Sequence, residues 1–137
     1  LIEQVMQVMA RSDYQRNSIY LSLDYELIAQ MKTQYPDYTA GYCVYGNVGR
    51  LTAGKLLSMD IDFLLIEEWM VSKGLIKTCR KAWLPVYAWT VNDSRNMDDY
   101  LRLGVSGLVT DYPDTAMGVL GTLYNLDDML KPYNTGD

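Results

Sequence analysis

The sequence predicts an α/β fold: a parallel sheet whose strands alternate with helices. Three observations carry that expectation. Apolar runs too short for a helix alternate with helix-period segments; most of those runs are apolar at every position; and polar residues cluster just after them. Strands buried on both faces and joined by helices are the mark of a parallel sheet covered by helices. The chain has 137 residues, 49% of them hydrophobic and 21% charged. That suffices for one domain with a real core and argues against disorder.

The first helix is expected around Ile2, Val5, Met6 and Met9, spaced as one buried helix face. Ile19, Tyr20 and Leu21 form a short strand, with Ser22 and Asp24 at its exit. "YELIAQMKTQY" puts Leu27, Ile28, Met31 and Tyr35 on one helical face, and Pro36 ends that helix. "YTAGYCVYG" reads as the next strand, and Asn47 to Ser58 as a loop with Gly49 and Gly54. "DFLLIEE" is a strand buried on both faces, followed by a helix capped by Ser72 with Leu75, Ile76 and Cys79 inside. "LPVYAWTV" is a strand with its proline at the tolerated start. Asn92, Asp93 or Ser94 caps a helix carrying Met97, Tyr100 and Leu101, and Gly104 ends it. "VSGLVT" is the last strand. Asp111 or Asp114 then caps a final helix with Pro113 in its first turn.

Composition excludes some functions. The formal net charge is −5 and no basic stripe is evident, so a nucleic-acid partner is not expected. No apolar run approaches the ~20 residues that span a bilayer. Cys43 and Cys79 form no CxxC pair and read as buried free thiols, with a disulfide as the alternative. A glycine-rich nucleotide turn is absent. Polar residues recur instead after each strand: Ser22 and Asp24; Glu67 and Glu68; Thr90, Asn92 and Asp93; Thr110 and Asp111. In a (β/α)8 TIM barrel such residues form the functional rim, but a barrel takes about 250 residues. The expected architecture is therefore a C-terminal half-barrel of four to five βα units over residues 1–122, with 123–137 as helix end and tail.

"AWTVND" followed by "LGVSGLVTDYPD" resembles the glycerophosphodiester phosphodiesterase family. The carrying residues are Trp89, Thr90, Val91 and Asn92, then Gly107, Thr110, Asp111 and Pro113. "LSLDYELIAQMKTQYPDYTAGY" is similar to the family's fifth strand and helix, in the style of the bacterial branch whose catalytic domain follows membrane helices. The resemblance implies hydrolysis of glycerophosphodiesters to glycerol 3-phosphate and an alcohol, in lipid and glycerol metabolism. It implies two catalytic histidines and a divalent cation, Ca or Mg, on carboxylates. Those come from the first strands of the family's barrel, in motifs not found in this chain. The chain has no histidine, so no catalytic residue and no metal ligand is assigned to it. It is expected to be soluble and inactive alone, within a membrane-associated parent.

The resemblance puts Trp89 at the mouth, against a glycerol moiety or walling the pocket; the alternative is a core tryptophan. Asn92 reaches substrate or caps a helix, and Ser22 lines the mouth. Glu67 stands on the rim, or serves as a cap or ion-pair partner. Thr110, Asp111 and Pro113 shape the closing turn. Asp60 and Asp62 share one strand face; Asp98, Asp99, Asp127 and Asp128 read as solvated surface. Expected partners are the missing N-terminal half of the barrel or a second copy, because a half-barrel leaves two strand edges and an apolar inner face. Two other readings stay open: a non-enzymatic half-barrel working by association, and an unrelated small α/β binding domain.

Overall fold

A computed structural model describes residues 1–46 and 52–125. Five strands, β1 (Tyr20–Ser22), β2 (Ala40–Val44), β3 (Phe63–Glu67), β4 (Val86–Trp89) and β5 (Gly107–Leu108), form one sheet. Each pairs parallel with the next in chain order. Six helices surround them: α1 (Ile2–Met9), α2 (Tyr25–Gln34), α3 (Ala53–Leu57), α4 (Lys73–Lys81), α5 (Ser94–Leu103) and α6 (Pro113–Tyr124). A strand order that never reverses is the winding of a barrel wall, not of a doubly wound sheet. Among the described residues the sheet does not close.

The register separates the two faces. Tyr42, Val44, Leu64, Ile66, Val86, Ala88 and Leu108 alternate onto one side. There they form the main core with Leu56 of α3, Ile76 and Cys79 of α4, Met97 and Leu101 of α5 and Ala116 of α6. A smaller cluster joins Met6, Ile28 and Met31 to Ala40 of the same face. Among the described residues, helices thus cover one face only. Leu21, Gly41, Cys43, Phe63, Leu65, Glu67, Tyr87, Trp89 and Gly107 alternate onto the other. Two glycines there make room for rings: a Cβ on Gly41 would lie 2.3 Å from the Phe63 ring, and one on Gly107 2.6 Å from Tyr87. Phe63 and Tyr87 then meet edge-on, with ring centroids 5.2 Å apart.

Caps follow the sequence where local chemistry decides. Ser72 accepts from the Leu75 amide, and Gly104 closes α5 at φ +103, where only glycine sits without strain. Asp93, not Asn92, caps α5 by accepting from the Arg95 and Asn96 amides. The N-cap position of α6 is Tyr112, with no side-chain cap bond, so neither Asp111 nor Asp114 plays the expected part; Pro113 does open the helix. The expected loop up to Ser58 contains α3, capped by Thr52; its residues 47–51 lie outside the described residues. Of the expected inner face of α1 only Met6 is buried, because α1 stands at the β1 edge and has one neighbouring layer. The α6 helix ends at Tyr124, and Asp127 and Asp128 lie outside the described residues.

At the opposite end of the sheet from the rim, Lys32 is pinned. Its buried ammonium donates to the Pro36 and Tyr38 carbonyls at 2.8 and 3.1 Å and pairs with Asp62 at 3.0 Å. Asp62 Oδ2 also accepts from the Ala40 amide at 2.7 Å. Asp62 therefore tethers α2 to the starts of β2 and β3, and is not part of a carboxylate site with Asp60. Tyr20, Tyr35 and Tyr38 stack edge-on nearby, as half-buried packing.

Candidate functional site: the C-terminal rim

Glu67 and Trp89 are register partners at the ends of β3 and β4, on the helix-free face. The next position along that face on β2 is Tyr45, whose ring centroid lies 6.3 Å from that of Trp89. Glu67 Oε2 accepts from the Gly46 amide at 2.9 Å. Gly46 has φ +68, a left-handed turn that a glycine permits. Cys43, one alternation below Tyr45, has its thiol pKa raised by burial and then by the Glu67 charge. Trp89 Nε1 is buried and has no hydrogen-bond partner among the described residues. A buried indole N–H is normally bonded. The rim therefore sets an indole and a carboxylate side by side.

Beside them, the turns after β4 and β5 are stitched together. Asn92 Nδ2 donates to Asp111 Oδ2 at 2.8 Å, and its Oδ1 accepts from the Thr110 hydroxyl at 3.1 Å and the Asp111 amide at 2.9 Å. Thr110 Oγ1 in turn accepts from the Tyr112 amide at 3.0 Å. The paired motifs of the sequence are thus one hydrogen-bonded latch. The peptide between Trp89 and Thr90 is cis.

Of the expected pocket residues, Trp89 and Glu67 come together and Asn92 adjoins them through the latch. Ser22 does not join them. It ends β1, alternates onto the helix side, and its hydroxyl accepts from the Asp24 amide at 3.0 Å. Sequence reasoning passed over Cys43, Tyr45 and Gly46. The signal available was alternation: counting by twos from Gly41 places Cys43 and Tyr45 on one face. Glu68 turns away from Glu67, toward α5. Its charge, after burial, raises the Tyr100 pKa, and its buried Oε2 has no partner among the described residues.

A divalent cation needs several hard oxygen ligands at one point. Among the described residues no three His, Cys, Asp or Glu side chains converge, and one Glu67 oxygen is engaged by Gly46. The described residues do not fit a cation site. Both cysteines are free: Cys79 is buried in the core, with its thiol pushed up to about 11 by burial, whereas Cys43 is only half-buried.

Parallel strands wound in order, with one layer of helices, define part of a (β/α) barrel. The chain belongs to the glycerophosphoryl diester phosphodiesterase family, matched over residues 3–115. It is similar to YhdW of Bacillus subtilis (strain 168), 25% identical over 82% of the chain and 47% of YhdW. It is also similar to the Arabidopsis thaliana glycerophosphodiester phosphodiesterase GDPD4, 27% identical over 90% of the chain and 38% of that protein. Among solved structures, an Oleispira antarctica phosphodiesterase in complex with the product sn-glycerol-3-phosphate superposes with TM-score 0.75 at 19% identity. The superposition covers 87% of the chain and 48% of the Oleispira protein. A Parabacteroides distasonis glycerophosphodiester phosphodiesterase gives 0.75 at 17%, over 90% and 51%. The chain spans less than half the length of the curated relatives it matches. Membership of this family removes the reading of an unrelated α/β binding domain.

Proposed function

We propose that this chain is the C-terminal part of a catalytic barrel that hydrolyses glycerophosphodiesters to glycerol 3-phosphate and an alcohol, in glycerol and lipid metabolism. The observation that carries the reading is the helix-free sheet face ending in Glu67 and Trp89, in a chain about half as long as its relatives. Hydrolysis of a phosphodiester needs charge neutralisation on the phosphoryl oxygens and a proton for the leaving alkoxide. The chain has no histidine to move that proton near neutral pH. The proton transfer and the Ca or Mg ion belong to the remaining strands of the barrel. A bound cation would neutralise phosphoryl charge.

This chain's part is to hold the glycerol end. Trp89 offers a flat apolar wall. Glu67, fixed by Gly46, can accept from a substrate hydroxyl, whereas Ser22 faces the helix side and takes no part. Asn92, Thr110, Asp111 and Pro113 keep the Trp89 turn in place. Residues 1–122 make up the barrel portion and 123–137 the helix end and tail, within a membrane-associated bacterial parent. The exposed edge strands β1 and β5 pair with the missing strands or, in the isolated chain, with a second copy. The non-catalytic association reading uses the same edges and predicts no turnover even when the barrel is completed.

The test is incubation of the purified chain with glycerophosphocholine and Ca or Mg, following glycerol 3-phosphate. No release is expected from the chain alone. Cation-dependent release would sink this division of labour.

A further inference from the structure

Helix α4 carries Lys73, Lys77, Arg80 and Lys81, four of the chain's 12 Lys and Arg residues, and none of its 17 Asp and Glu. Spacings of four, three and four residues set them in one stripe, flanking the side that buries Ile76 and Cys79, and all four are exposed. Buried residues interleave with them in the sequence, which is why no basic stripe was evident there. Among the described residues the ion pairs are Lys32–Asp62 and Arg102–Asp98, and none involves the stripe. Compensation of the helix dipole accounts for Arg80 and Lys81 at the C-terminus; it disfavours Lys73 in the first turn.

The stripe ends at Trp83, which is 91% exposed and holds φ +54, a left-handed conformation that suits glycine. The fold thus holds a large indole out in water beside four cations. A recess of about 230 Å³ lined by Arg80, Trp83, Pro85 and Ser106 opens at its foot.

We propose that α4 and Trp83 form a docking surface for an anionic phospholipid bilayer. Lysine and arginine are drawn to acidic headgroups, and an exposed tryptophan settles at headgroup depth. A nine-residue helix is about 13 Å long, too short a track for the many phosphate contacts that nucleic-acid binding uses. Trp83 precedes β4 whereas Trp89 ends it, so the exposed indole and the rim lie at opposite ends of the strand, and α4 lies on the helix-covered face, away from the face that carries Glu67 and Trp89. The rim then stays open to water. The inference does not rest on the hydrolytic reading, since α4 belongs to the outer layer whether or not the barrel is closed.

The test is co-sedimentation of the chain with vesicles of phosphatidylcholine alone or mixed with phosphatidylserine, with duplex DNA binding measured in parallel. Binding to the mixed vesicles only, reversed by high salt, is expected. Neutralising a cation costs about fivefold in affinity, so Lys73→Gln, Lys77→Gln and Lys81→Gln together lose at least tenfold. Arg80 is kept because it packs against Gly104. Trp83→Gly weakens binding while leaving thermal stability equal or higher, and Arg11→Gln with Arg16→Gln changes nothing. Equal binding to both vesicle types, binding to neither, stronger binding to DNA, or indifference to the triple-lysine change would overturn the proposal.

Discussion

Replacing Asn92 by aspartate changes a single atom group and inverts the latch. In the native chain Asn92 Nδ2 donates to Asp111 Oδ2 across 2.8 Å, while Oδ1 accepts two further bonds. Asn92→Asp keeps the acceptor and puts a second carboxylate oxygen against Asp111. Two charges about 3 Å apart repel by ~1.4 kcal/mol in fully hydrated surroundings. The lost bond to a charged acceptor adds roughly 1.5 kcal/mol. The latch is exposed, so the sum is about 2–3 kcal/mol at pH 7 and falls with salt. For a chain of this size that lowers Tm by roughly 8–12 °C.

Asn92→Ala removes all three bonds but leaves no repulsion, and should cost about 2–3 kcal/mol with no pH dependence of its own. The two variants separate with pH. Like charge raises the folded-state pKa of the facing carboxyls above the ordinary value of about 4. A group raised in this way binds its proton more tightly when folded, so stability falls as pH rises through that range and returns as pH drops. Urea unfolding followed by circular dichroism at pH 7 and pH 4.5 reads the difference. Asn92→Asp should recover toward the native value at the lower pH, while Asn92→Ala should not. Equal costs for the two variants at both pH values would refute the latch.

Other outcomes follow from the core. Asp62→Ala strands the buried Lys32 ammonium on two carbonyls; since Asp62 is itself partly exposed, the cost is about 2–3 kcal/mol, below the range for fully buried pairs, and urea unfolding checks it. Gly104→Ala forces a Cβ to 2.5 Å from the Arg80 guanidinium at φ +103, and should cost about 1–2 kcal/mol in the same assay. The Cys79 thiol holds its proton to about pH 11 when folded, against 9 for the free group. Stability should therefore decline between those values as pH rises. Cys79→Ala should flatten that decline in thermal melts, and an unchanged slope would count against burial as the cause.

Strands, helices and their order were legible because each strand is apolar along its length and each long helix carries a local signal: Ser72, Gly104, Pro36. The apolar row of β3 could be read as doubly buried, yet which alternate positions face the helices is a matter of register, set by tertiary pairing. That is why Ser22 was expected at the mouth and lies on the helix side. Asn92 illustrates a second limit. Its type suits a cap, and Asp93 one residue on suits it equally; only the return of the chain at Asp111, 19 residues later, decides between them. Short α3 carries too little periodicity to be seen, and Lys32 reads as surface until Asp62 and two carbonyls are brought to it.

The account rests on a sheet whose inner face lacks its cover. Sedimentation velocity of the purified chain over a range of concentrations tests that directly. Reversible association into a particle of twice the chain's mass is expected, with Val109→Lys and Leu21→Lys on the open face and edges shifting it back to the single chain. A particle of one chain's mass at every concentration, indifferent to both substitutions, would contradict it.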